Sequence, residues 1–85
     1  MPPVEPREEI RAELVASVLE VSAGAGVRVA GGQAIVLLES MKMEIPVVSE
    51  TGGIVVSVAV AVGDVVQSGD LIAVVDAREP EGDKG

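Results

Sequence analysis

Shifted by 37 residues, this chain lies over itself. Residues 12–39, AELVASVLEVSAGAGVRVAGGQAIVLLE, align with residues 49–76, SETGGIVVSVAVAVGDVVQSGDLIAVVD. Seven of the 28 positions are identical: Glu13/Glu50, Val18/Val55, Val21/Val58, Gly26/Gly63, Val29/Val66, Gly32/Gly69 and Ile35/Ile72. The paired glycines matter most, because they place turns at the same points of both copies. Neither copy has enough residues to cover its own apolar face. Two quasi-equivalent halves must therefore pack on each other, and the chain can be only one small domain.

Each copy reads as short strands. In the second, Ile54, Val56, Val58, Val60 and Val62 fall on one face at period two, with Val55, Ser57, Ala59 and Ala61 on the other. Turns follow at Gly63-Asp64 and Ser68-Gly69-Asp70, around a brief Val65-Val66 strand, and Leu71 to Val75 forms the last strand. The first copy follows the same plan: Glu13 to Val21, a turn at Gly24–Gly26, Val27 to Val29, a turn at Gly31-Gly32, and Ala34 to Glu39. Gly24-Ala25-Gly26 is too poor a match to a phosphate loop, since no Lys-Ser/Thr and no helix follows. The expected fold is all-β, a flattened barrel or sandwich of two quasi-two-fold related four-stranded halves. The folded region runs from Ile10 to Asp76. Residues 1–9 and 77–85, rich in proline and charge, read as flexible tails.

The connector between the copies holds the sequence ESMKME, Glu39 to Glu44. Its residues favour helix and include no turn former. Yet if Ala34–Glu39 pairs with Glu44–Val48, the chain must reverse within Ser40-Met41-Lys42-Met43. Pro46 then belongs on an edge strand. The centre of such a hairpin ordinarily takes Gly, Asn or Asp, which tolerate positive φ. Here Met41 and Lys42 occupy it. A local rule broken inside an otherwise consistent sequence marks a functional site. The second copy has no counterpart, because the folded chain stops at Asp76. The tip and the two termini thus belong at opposite ends.

Composition narrows the function classes. The net charge of −8 opposes nucleic acid and anionic membrane surfaces as partners. The chain has no cysteine and no histidine, so thiol and imidazole chemistry are absent and no catalytic residues or metal ligands are assigned. Eighteen valines and no aromatic residue suit thin pleated sheets. The longest apolar run, Gly52 to Gly63, is too short to span a bilayer as a helix, and no signal peptide is visible. A cytoplasmic location is expected.

ESMKME within a small, internally repeated, Gly/Val-rich β domain resembles the biotinyl/lipoyl attachment domains. Met-Lys-Met is the biotinyl form, whereas lipoyl domains usually carry Asp-Lys-Ala. The layout is most similar to the small stand-alone biotinylated carriers of actinobacteria. The resemblance implies that Lys42 accepts biotin on its ε-amine, with Met41 and Met43 as flanking recognition residues. Glu39 matches the acidic residue before the motif, Gly63-Asp64 a turn, and Gly53 a small residue ahead of a strand. Ser40 replaces the usual alanine, and Ala12-Glu13 and Ser49-Glu50 replace Ala-Pro pairs.

The implied role is a swinging-arm carboxyl carrier, not an enzyme in itself. Its partners would be a biotin protein ligase and the biotin carboxylase and carboxyltransferase components of a biotin-dependent enzyme. An acyl-CoA carboxylase of fatty acid metabolism is one such enzyme. Glu39 and Glu44 are expected to orient the tip against a basic ligase surface. A lipoyl carrier and an unmodified interaction module are the alternatives.

Overall fold

The structure is a computed structural model that describes residues 7–77. The rest of the two expected tails, residues 1–6 and 78–85, lies outside the described residues. Every regular element among them is a strand: β1 (Arg7–Arg11), β2 (Ala16–Val21), β3 (Arg28–Val29), β4 (Ala34–Ser40), β5 (Met43–Val48), β6 (Gly53–Val58), β7 (Val65–Val66) and β8 (Leu71–Asp76). They form two antiparallel four-stranded sheets, ordered β1-β8-β6-β3 and β5-β4-β2-β7.

The 37-residue shift maps one sheet onto the other. It carries β1 to β5, β2 to β6, β3 to β7 and β4 to β8. The registers coincide: Arg7↔Asp76 in the first sheet corresponds to Glu44↔Glu39 in the second, and Ile10↔Ala73 to Val47↔Val36. The irregularities repeat too, between Val18 and Glu20 and between Val55 and Ser57. So do loop hydrogen bonds, such as Ala12 N–H to Asp70 O (2.8 Å) and Ser49 N–H to Gln33 O (3.2 Å). The copies are interlocked, because β3 pairs with β6 and β7 with β2. Each copy lends its two-residue strand to the other's sheet.

The core follows the same pairing. Val18/Val55, Val29/Val66, Ile35/Ile72, Val36/Ala73 and Leu38/Val75 are all buried. Burying each Val, Leu or Ile fully contributes about 1.5–3 kcal/mol. At Gly53, which pairs with Val29 at the start of β6, φ is 136°. A Cβ there would run into the Asp76 carbonyl oxygen, so only glycine lets the two backbones meet.

Two expectations are corrected. The period-two strand from Ile54 to Val62 ends at Val58, and its facing is different: Val55 is buried and Val56 exposed. The bulge after Val55 absorbs one residue, so the inward positions become Val55 and Val58 on either side of it. In the first copy, likewise, β2 begins only at Ala16 and not at Glu13.

The fold also begins at Arg7 and not at Ile10, so Arg7, Glu8 and Glu9 belong to a strand and not to a tail. Pairing with β8 draws these residues in, and Glu8 fastens them. Its carboxylate accepts hydrogen bonds from Ser49 Oγ (2.8 Å), Glu50 N–H (3.0 Å) and Thr51 Oγ1 (3.0 Å). Ser49, the fully buried counterpart of Ala12, also accepts from Gly52 N–H (2.9 Å). This clasp ties β1 to the β5–β6 connection.

Burial alone would raise the Glu8 pKa, but the hydrogen bonds from Glu50 N–H, Ser49 and Thr51 outweigh it and hold it below its ordinary 4.5. A depressed folded pKa adds stability above the unfolded value, and that stability is lost as pH falls through the folded value. Glu8→Gln should therefore cost about 1 kcal/mol at pH 7, after discounting for solvent screening. The gap to the parent should narrow as pH falls below the ordinary carboxylate value of 4.5, read by circular dichroism in urea melts. A gap that is the same at pH 7 and pH 3 would rule out the charged clasp.

Candidate functional site

The β4–β5 hairpin carries the candidate site. Six register pairs run along its stem from Ala34↔Val48 to Ser40↔Met43. Because Ser40 pairs with Met43, two residues remain to reverse the chain. A two-residue loop matches the right-handed twist of its strands only in a primed turn, and the type I′ form has both central φ values positive. Met41 lies at φ 54° and Lys42 at φ 67°, the only positive-φ residues other than glycine among those described. Left-handed backbone costs a residue with a side chain about 1–2 kcal/mol. The stem holds two such residues against that cost.

The side chains at the tip point into solvent. Met41 is 91% exposed and Met43 64%, and Lys42 is exposed. Among the described residues, no hydrogen bond or ion pair engages the Lys42 ammonium group. The sequence thus anticipated the tip residues and the side chains they present. Pro46 sits on β5, an edge strand, as its lack of an N–H requires. An open groove of about 480 Å³ runs between the edge strands β1 and β5, and Met41, Lys42 and Met43 lie outside its lining. Lys42 thus projects from an exposed hairpin tip, away from that groove.

Glu39 and Glu44 are direct cross-strand partners one step below the tip. Glu39 is half-buried and Glu44 exposed. Residues directly opposite each other project to the same side, and like charges so placed are destabilising by roughly 0.2–1 kcal/mol. The repeat supplies an internal comparison. At the equivalent place in the other sheet, the fold sets Arg7 opposite Asp76. The same backbone site thus carries opposite charges at one end and like charges at the tip. The clasp residues Glu8, Ser49 and Thr51, absent from the expected site, hold the other end of β5. Their signal in the sequence was the polar Ser49 and Thr51, where the first copy has Ala12 and Leu14.

A family model described as "Biotin-requiring enzyme" matches residues 9–75. The chain belongs to that family. Within the biotin-requiring family, it is 60% identical over 68 residues to the "Biotinylated protein TB7.3 homolog" of Mycobacterium leprae, covering 80% of this chain and 96% of that protein. Among solved structures it resembles a single-chain, multi-domain long-chain acyl-CoA carboxylase, with a TM-score of 0.79 and 28% identity. That match covers all of this chain and 9% of the other. It also resembles the urea carboxylase of Kluyveromyces lactis, with a TM-score of 0.78 and 28% identity over 88% of this chain and 7% of that one. The all-strand architecture is therefore that of a family domain, and this chain spans only a small part of each carboxylase.

The strain at the tip has a measurable consequence. Replacing Met41-Lys42 by Asn-Gly should raise stability by about 1 kcal/mol, because both newcomers accept positive φ. Urea melts followed by circular dichroism would read this as a higher midpoint at unchanged slope. Equal or lower stability would mean that the turn is not strained.

Proposed function

We propose that this chain is a biotin carboxyl carrier in which Lys42 Nζ holds the cofactor in amide linkage. The observation that carries the reading is the exposed, unpaired Lys42 on a two-residue left-handed tip, flanked by two exposed thioethers. A substrate lysine has to enter a ligase's site free of neighbours, and a tip fixed by a rigid stem offers it that way. The biotinylated name of the mycobacterial relative and the likeness to two carboxylases support biotin over lipoate. No observation favours an unmodified interaction module.

The chain's own residues do little chemistry. In the ligase's site, Lys42 Nζ attacks the activated carboxyl carbon of biotin. The C–N bond forms, the activating group departs, and the ammonium proton passes to a ligase base or to solvent. When bound, biotin supplies the nitrogen that takes up and gives back a carboxyl group. The tip then presents that arm in turn to biotin carboxylase and carboxyltransferase components, in the cytoplasm.

The acidic pair fits recognition better than stability. Glu39 and Glu44 weaken their own stem, whereas a basic partner surface would relieve their repulsion. In this reading the biotin protein ligase presents that surface.

Two experiments test these assignments. Incubating the chain with a biotin protein ligase, biotin and ATP should add one biotinyl group by intact mass, and Lys42→Ala should add none. Labelling of Lys42→Ala, or no labelling of the parent, would defeat the assignment. The double variant Glu39→Gln/Glu44→Gln should melt slightly higher yet lose about tenfold in ligase kcat/KM at low salt. It should also show a weaker salt dependence than the parent. An unchanged kcat/KM would remove the acidic pair from recognition.

A further inference from the structure

This chain offers an oxidant very few side chains to attack. It has no cysteine, histidine, tryptophan, tyrosine or phenylalanine, and three methionines. Met1 lies outside the described residues, and the other two stand one on each side of Lys42. In most cores methionine fills irregular gaps, where its sulfur is shielded. Here the buried apolar cluster is built from Val, Ile, Leu and Ala, and neither thioether packs against it. Both instead stand in solvent at the tip. Apart from Met1, the oxidisable sulfur of the whole chain is concentrated beside the acceptor amine.

We infer that Met41 and Met43 form a reversible oxidation site that switches off Lys42 as a biotin acceptor. This rests on Lys42 being the biotinylated residue. The oxidant is a hydroperoxide, of which hydrogen peroxide is the simplest. A lone pair on Sδ attacks one peroxide oxygen, the S–O bond forms, and the O–O bond breaks. The S–OH proton passes to the departing oxygen, which leaves as water from hydrogen peroxide or as an alcohol from an organic hydroperoxide. Sulfur loses two electrons and the peroxide gains them. The product is a sulfoxide, polar and chiral at sulfur, which methionine sulfoxide reductases return to the thioether.

The position of the two residues decides the consequence. Met41 precedes Lys42 within the turn, and Met43 follows it as the partner of Ser40. A surface that closes around Lys42 Nζ must cover the flanking thioethers. Covering an apolar thioether is favourable. Covering a sulfoxide oxygen strips its water with no donor provided, which costs free energy. The fold does not share this penalty, because neither side chain contributes to the core. Oxidation therefore blocks acceptance of biotin and leaves the domain folded.

The test uses the full, unmodified chain. It is treated with hydrogen peroxide, quenched with catalase, and mapped by peptide mass spectrometry. It is then given to a biotin protein ligase with biotin and ATP. An untreated sample and an oxidised sample re-reduced with methionine sulfoxide reductases A and B run in parallel. The expected result is one added oxygen on each of Met41 and Met43, and a fall of about tenfold in the initial rate of biotinylation. The rate should return after re-reduction, with the thermal melt unchanged throughout. Oxidised protein that is biotinylated at the untreated rate overturns the inference. So does a loss of rate that re-reduction does not reverse, or one accompanied by unfolding. Met41→Leu/Met43→Leu supplies the second control: its own rate, fast or slow, should not change after peroxide, and a tenfold fall there would place the damage elsewhere. Failure of the untreated sample to take up biotin would count against the Lys42 assignment itself, whereas failure of the switch shows only in the oxidised arm.

Discussion

The register between β4 and β5 is the constraint on which the site depends. By setting Ser40 opposite Met43 it leaves two residues to turn the chain. Twisted strands joined by two residues demand positive φ at both. The cost of placing Met41 and Lys42 there is borne by six cross-strand pairs and by the core beneath them, which includes Ile35, Val36 and Leu38. That core in turn depends on the exchange of β3 and β7 between the copies, since neither copy can complete a four-stranded sheet alone. Sheet completion, stem and turn therefore form one chain of support for an exposed lysine whose ammonium group, among the described residues, makes no hydrogen bond or ion pair.

The repeat makes the specialisation of the tip visible as departures from symmetry. Where one end sets Arg7 against Asp76, the tip sets Glu44 against Glu39. Where the first copy buries Ala12, the second buries Ser49, which receives the N-terminal strand through Glu8. The hairpin itself has no partner under the shift, because β8 ends and β1 begins where a second tip would be. A duplicated scaffold thus carries the two-residue tip at one end and the pairing of β1 with β8 at the other.

Much of this was legible in the sequence, for definite reasons. The glycine pairs fixed the turns, and identical Val18/Val55, Val29/Val66 and Ile35/Ile72 pointed to shared core positions. The tip followed from where the repeat stops. The bulges after Val18 and Val55 were not legible, because short valine-rich strands read as simple alternation and nothing in their side chains marks an extra residue. Nor could a two-residue strand announce which sheet it joins, so the exchange of β3 and β7 stayed hidden. Arg7, Glu8 and Glu9 looked like a charged tail, because what orders them is distant in sequence: β8 on one side and Ser49 to Thr51 on the other.

A tip held this way should have a backbone as fixed as the strands beneath it, while the lysine side chain moves freely. Backbone ¹⁵N relaxation tests this directly on the unmodified protein. The amides of Met41 and Lys42 should show order parameters near those of Leu38 and Ile45, about 0.85. Values below about 0.6 at both tip residues would mean a flexible loop, and would contradict a tip held in a left-handed turn by its stem.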